Sequence, residues 1–432
     1  MALREIGVGL LGFGTVGAGV VAALQRNAEL LAERLGLRLR LRKVADIDLE
    51  RERGVELDRS LLTTDALSVI RCPEVDIVVE LIGGTGAART LVTEALNAGK
   101  PVVTANKALL AEHGEEIFGL AERRNVDIYF GASVGGGIPI VRALREGLVA
   151  NRIESICAIL NGTCNYILTR MEQDGCSFGR ALAEAQKQGY AEADPRLDID
   201  GLDTAHKAVL LASLSYGSVV PLAAVHVEGI RDFAETDLRY ARDLGYRIKL
   251  LAVIKRQGED VEVRVHPTMV PQEHVLASVG GVFNAVLVQA DLSERTLYYG
   301  RGAGRDPTAS TVLGDIADVA KNLRSGTRRR FHALLRSGSQ VRMRSMADVA
   351  TRHYLRLHLL DRPGVLAQVT AVLGAHGISI AAALQKESGG RHVPVVIVTH
   401  QAREREMAAA LTELAALEVV SGKPVRVRIE DL

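Results

Sequence analysis

The hexapeptide Gly12-Phe13-Gly14-Thr15-Val16-Gly17 constrains this chain most, because of where it stands. It follows an apolar run, Ile6 to Leu11, that reads as a strand. It opens a helical pattern from Gly17 to Arg34, with Val20, Val21, Leu24 and Leu31 on one side. Between strand and helix, a GxGxxG turn is built for a dinucleotide pyrophosphate. Its first glycine makes the tight turn and its second lets backbone N–H groups approach the phosphates. Its third lets helix pack on strand, and the helix N-terminus offers a positive dipole end. The expected cofactor is NAD or NADP. The second strand, Leu37 to Ala45, ends at Asp46, whose carboxylate suits a ribose 2′-hydroxyl and repels a 2′-phosphate. Arg42, Lys43 and Arg51 stand near enough to hold such a phosphate, and Asp46 and Asp48 could equally cap the turn.

The first ~135 residues alternate apolar runs (Asp76–Leu81, Pro101–Thr104, Val126–Phe130) with helical patterns, which predicts a parallel sheet with covered faces. The expected class is α/β: a Rossmann-type dinucleotide-binding domain over 1–135, completed by 305–336. From Ile138 the pattern changes to runs of helices (Asn165–Gln173, Phe178–Gln188, Leu202–Ser215) and then runs of strands (Arg247–Lys255, Val261–Val270, Gly281–Ala290). This predicts an α+β substrate and dimerisation domain over 136–304. Residues 337–352 are polar and aperiodic, as in a linker. From 353 to 432 the order is strand, helix, strand, strand, helix, strand, the ferredoxin-like βαββαβ arrangement.

The 53 basic and 52 acidic residues nearly cancel, so no electrostatic footprint for nucleic acid or a membrane surface is expected. No apolar stretch approaches the ~18 residues that span a bilayer, and the N-terminus has no secretory pattern. The four cysteines (Cys72, Cys157, Cys164, Cys176) follow no metal-ligand repeat and suit a reduced, cytoplasmic protein.

Two lysines stand out. Lys107 follows Thr104-Ala105-Asn106 at the carboxyl end of an apolar strand, the edge where open α/β sheets bind ligands. Lys207 lies within the apolar segment Leu202–Leu211, where an unpaired charge is costly. Asp203, four residues earlier on the same face, is its expected partner. Glu192, Asp194, Asp198 and Asp200 precede it and suit a substrate carrying an ammonium group.

Several segments resemble, in order and spacing, the homoserine dehydrogenase family. They are the GFGTVG loop, Ala105-Asn106-Lys107, Gly135–Ile140, Leu160–Ile167, Gly189–Arg196 with Gly201–Asp203 and Lys207, and Gly302-Ala303-Gly304 with Pro307–Ser310. The resemblance spans nearly all of residues 1–325. It implies hydride transfer between a nicotinamide and the pair L-aspartate 4-semialdehyde and L-homoserine, in a homodimer or homotetramer. Lys207 resembles the proton donor/acceptor at the substrate oxygen, and Lys107 the second lysine, near nicotinamide and substrate. Asp203, Glu192 and Asp198 resemble substrate-binding acids. Thr15, Val16 and Gly304 fall in cofactor-contacting motifs. The family's monovalent-cation site would use the carbonyls of Val134, Gly136 and Ile138 for sodium, yet the position matching its acidic ligand is Gly131.

Asp361–Leu366 followed by Gly377–Ile380 resembles an ACT domain, which implies L-threonine as a feedback effector. A module that only dimerises is the alternative. Two other functions compete: another Rossmann-type dehydrogenase, for which Cys164 would be the nucleophile, and a non-enzymatic dinucleotide sensor.

Overall fold

The computed structural model describes residues 3–231, 233–330, 334, 341–385 and 390–432. The N-terminal part forms a six-stranded sheet in the order Leu62–Thr63, Arg38–Ala45, Glu5–Leu11, Ile77–Glu80, Val102–Thr104, Ile128–Tyr129. All its neighbours pair parallel. Its central strands are near-continuous apolar runs because helices cover both faces. Chain order reverses between Glu5–Leu11 and Ile77–Glu80, which opens a crevice at their carboxyl ends, where the glycine turn sits.

The pattern expected as one helix from Gly17 to Arg34 is two, Thr15–Arg26 and Ala28–Leu35. They meet at Asn27, whose φ of −106° and ψ of 16° leave the helical range at a residue of modest helix propensity. The helix Arg305–Ser325, with Pro307 tolerated in its first turn, packs Ala309, Val312, Ile316 and Val319 into the core beneath Thr15–Arg26. Of the stretch 305–336 assigned to the first domain, 331–333 and 335–336 lie outside the described residues.

The second sheet has twelve strands. Its first half runs Glu294–Arg301, Phe283–Ala290, Ile153–Ile159, Tyr246–Gln257, Asp260–Pro271. The edge strand Glu294–Arg301 escaped the sequence analysis because its residues, half solvent-facing, read as polar. The other half is the C-terminal module: Val420–Ile429, Ala350–Leu360, His392–Thr399, Ile380–Gln385, the 4-1-3-2 order of a ferredoxin-like fold. The halves join where Thr268 and Met269 pair with Arg428 and Ile429, parallel. Within the stretch read as a linker, 337–340 lie outside the described residues. The remainder carries a short strand, Arg342–Met343, paired to Asp260–Pro271, and the start of the strand Ala350–Leu360. Lys386, expected to end a strand, is also outside the described residues.

Buried ion pairs rivet this junction. Glu430 pairs with Arg264 and Lys255, each at 2.6 Å. Arg428, 1% exposed, binds Glu404 at 2.7 Å and Glu228 at 2.8 Å. Glu430, Arg264, Arg428 and Glu404 are buried, and buried charges are tolerated only when paired and hydrogen-bonded, which ties the module's last strand to one register.

Candidate active site

Gly12 turns the chain at φ +96°, where a Cβ would strike the Leu81 carbonyl carbon at 2.6 Å. Gly14 faces open space, as a turn meant for phosphates requires. Thr15 is exposed at the helix N-terminus, Val16 lines the cleft, and the buried Gly17 lies under the turn. Asp46 supports this loop: its Oδ2 accepts the Phe13 N–H at 2.5 Å and its Oδ1 the Asp48 N–H at 2.9 Å. Arg53, its side chain 6% exposed, pairs with Asp46 at 3.4 Å and covers the Phe13 ring 4.8 Å from its centroid. The Asp46 carboxylate thus caps the turn and is partly neutralised. Arg53 gave no signal in sequence, because it sits in a charged stretch that resembles a solvated loop.

Glu80 was also missed. Fully buried at the end of its strand, it accepts from the Thr104 hydroxyl at 2.6 Å and from the Ile82 and Gly83 N–H groups. It thereby shapes the turn facing Gly12. Beside it, Asn106 caps the helix Lys107–Arg124 through the Leu109 N–H and donates to Gly84 O at 2.7 Å. This fixes Lys107 at the crevice.

From the other side come Lys207 and Asp203, on one face of the helix Leu202–Tyr216. Lys207 Nζ donates to Asp203 Oδ2 at 2.6 Å and to Leu160 O at 2.7 Å. Lys107 Nζ lies 3.2 Å from Asp203 Oδ1. Asn161, named in sequence only as part of a motif, organises the acids. Its Nδ2 donates to Asp203 Oδ2 at 2.8 Å and Asp198 Oδ1 at 2.7 Å, while its Oδ1 caps the next helix at Cys164 N–H. Burial would raise the Asp203 carboxyl. The charges of Lys207 and Lys107 outweigh that and hold it well below the usual carboxylate range. Asp198 moves the other way, pushed up by burial and then by the charge of Asp203. These groups share one cleft of about 660 Å³ with Val16, Gly136, Glu192 and Gly304, so Val16 of the glycine turn and both lysines face the same space. Glu192 is exposed at its rim.

Cys164 is no nucleophile. Its thiol is buried against Asp198 O at 3.2 Å, and burial pushes its pKa well above the ordinary thiol range.

Two of the three carbonyls suggested for sodium accept hydrogen bonds from the protein. Gly136 O accepts the Thr311 hydroxyl at 2.6 Å and Ile138 O accepts the Ile140 N–H at 2.8 Å, while Val134 is fully buried. The carboxylate nearest Gly131 is Asp315, which accepts the Gly131 N–H at 2.8 Å. Each of these carbonyls keeps a second lone pair, and among the described residues no group of three or more His, Cys, Asp and Glu side chains is placed to hold a metal.

The family model for homoserine dehydrogenase matches residues 139–317, and that for the homoserine dehydrogenase NAD binding domain matches 12–131. The chain belongs to the homoserine dehydrogenase family. It is an NAD(P)-dependent oxidoreductase. A homoserine dehydrogenase of Neisseria gonorrhoeae is 44% identical, with 100% of each chain covered. The crystal structure of a homoserine dehydrogenase from Thiobacillus denitrificans superposes with a TM-score of 0.94 at 45% identity, covering 100% of this chain and 99% of that one. A hyperthermophilic archaeal homoserine dehydrogenase in complex with NADPH matches 73% of this chain and 98% of its own, at TM-score 0.62 and 26% identity. Residues 353–419 match the ACT domain model, so the chain carries the small C-terminal module expected from sequence.

Proposed function

We propose that this chain interconverts L-aspartate 4-semialdehyde and L-homoserine with Lys207 as the acid/base at the substrate oxygen. The bridge Lys107–Asp203–Lys207 carries this assignment. A bound nicotinamide dinucleotide supplies or takes up the hydride at the substrate carbon. Gly12, Phe13, Gly14, Thr15, Val16 and Gly17 form the turn for its pyrophosphate, with Gly304 on the far wall. As the aldehyde oxygen gains negative charge, the Lys207 ammonium donates a proton to it, and Lys107 adds a second positive charge on the cofactor side. Asp203 stays ionised and keeps both amines aimed into the cleft. Glu192 and Asp198 take the ammonium group of the amino-acid substrate.

Arg53 neutralises Asp46, which lets the site accept NADP as well as NAD. The decisive test is a spectrophotometric assay with L-homoserine and each cofactor separately. Absence of homoserine-dependent reduction with either would refute the assignment.

The C-terminal module takes L-threonine as effector. Gly364, at φ +88°, opens the helix Val365–Ala375 with no side-chain cap, an N-terminus whose dipole suits a carboxylate. Titration calorimetry that shows no heat, with no inhibition at millimolar threonine, would refute this. The protein works in the cytoplasm as a homodimer or homotetramer. Its four unpaired cysteines suit a reducing compartment, and the edge strand Glu294–Arg301 exposes Leu297 and Tyr299 for a second subunit.

A further inference from the structure

Asn284 is 1% exposed and lines the catalytic cleft, yet neither its Nδ2 nor its Oδ1 has a hydrogen-bond partner. It lies in the strand Phe283–Ala290, paired with Gly300, one residue beyond the Ala285–Ile159 pair. The strand Ile153–Ile159 leads directly to Leu160 and Asn161 of the lysine site. Its amide lies against Gly302, where a Cβ would collide with its Nδ2 and Cγ. A side chain longer than glycine at 302 would therefore evict it. Lys249 and Asn165 hold the loop that leads into it: Lys249 Nζ donates to Val279 O at 2.6 Å, and Asn165 Nδ2 donates to Phe283 O at 3.1 Å.

A buried amide left unpaired is costly, and such groups in native proteins are rare. The position is built and costly, which points to a ligand. A neutral side chain offering one free donor face and one free acceptor face matches a primary carboxamide, which offers the reverse pair. The charged ends of the amino-acid substrate have charged partners elsewhere in the cleft, in Glu192, Asp198 and Arg301. Gly302, against which the Asn284 amide lies, stands two residues before Gly304, on the wall assigned to the cofactor.

We propose that Asn284 is a cofactor-binding residue that recognises the carboxamide of the nicotinamide ring through reciprocal hydrogen bonds, and so fixes which face of the ring meets the substrate. The proposal rests on the functional assignment above and deepens it.

The test is titration calorimetry with whichever of NADH and NADPH the wild type binds, and with its 3-acetylpyridine analogue, whose methyl ketone lacks the N–H donor. The wild type should bind the analogue roughly tenfold more weakly. Asn284→Leu, which removes both hydrogen bonds, should weaken the natural cofactor roughly 100-fold and the analogue roughly tenfold, so that it binds both dinucleotides alike. Its ligand-free Tm should be unchanged or higher, because the unpaired amide is gone. Three results would overturn the proposal: unchanged cofactor affinity in Asn284→Leu, preserved discrimination against the analogue, or a lowered Tm with equal loss for both dinucleotides. The conservative Asn284→Gln, which keeps the amide, should retain discrimination if the fold is intact; its loss there too counts against the proposal. Should the wild type bind the dinucleotides yet fail to oxidise homoserine, the substrate assignment fails, and this binding test still stands.

Discussion

Lys107 Nζ and Asp203 Oδ1 lie 3.2 Å apart across the cleft, the lysine on a helix of the dinucleotide sheet and the aspartate on a helix of the second domain. The other oxygen of Asp203 takes Lys207 at 2.6 Å, so one carboxylate orients two ammonium groups. Removing it leaves a buried ammonium without its anion, which is the costly way to break such a pair. Asp203→Asn is expected to lower kcat/KM for homoserine about 10- to 100-fold, equivalent to about 1.4–2.7 kcal/mol of transition-state stabilisation. Steady-state kinetics with a melting curve on the same preparation separates this from unfolding.

The two lysines should not respond alike. Lys207 is 8% exposed and bonded on two sides, whereas the Lys107 side chain is 33% exposed. Lys207→Met should cost at least ~100-fold in kcat, as loss of a general acid does. Lys107→Met should raise KM for the substrate more than it lowers kcat. Near-normal turnover in purified Lys207→Met would remove it from the chemistry.

Cofactor choice should respond to Arg53, which covers Phe13 and neutralises Asp46. Its replacement by alanine unmasks the Asp46 charge beside the ribose. The ratio of kcat/KM with NADPH to that with NADH should then fall roughly tenfold, within the range for a lost charge-assisted bond. Comparing kcat/KM for the two cofactors in both proteins tests this, and an unchanged ratio would clear Arg53 of any role.

Acid should loosen the joint between the two halves of the large sheet. His353 is fully buried there, with Glu404 at 3.8 Å and Arg426 and Arg428 nearby. Burial, with help from the arginines, depresses its imidazole to about 4. A base depressed in the fold contributes stability that is present above its unfolded pKa, about 6.5, and that is lost as pH falls toward 4. The Tm of the wild type should therefore drop more steeply between pH 6.5 and 4.5 than that of His353→Gln. Calorimetric scans across that range give the comparison.

How far the molecule could be read from its letters depended on how local each signal was. The glycine turn lies within six consecutive residues, and Lys207 announces itself as a charge inside an apolar helix; Val16 of the turn and Lys207 line one cleft. Arg53 and Asn284 look like ordinary polar residues until the chain folds, because what distinguishes them is a neighbour far away in sequence: Phe13 for one, Gly302 for the other. Asn161 was visible as part of a turn, but its grip on Asp198 and Asp203 needed the helix to be placed. The pairing of Thr268 and Met269 with Arg428 and Ile429 left no trace at all, since strand pairing across such a separation has no periodic mark.

That pairing restricts how news of an effector can travel. The strand Val420–Ile429 belongs to both halves of the large sheet, and the Glu430 carboxylate, clasped by Arg264 and Lys255, acts as a stop against slippage. Sliding by one step would turn every side chain of the strand to the opposite face. What survives is flexing: were an effector to bind at the Gly364 end, as proposed above, its push would reach Leu160 and Asn284 as a change in twist, carried by the shared strands as a bent plank carries load from one support to the other.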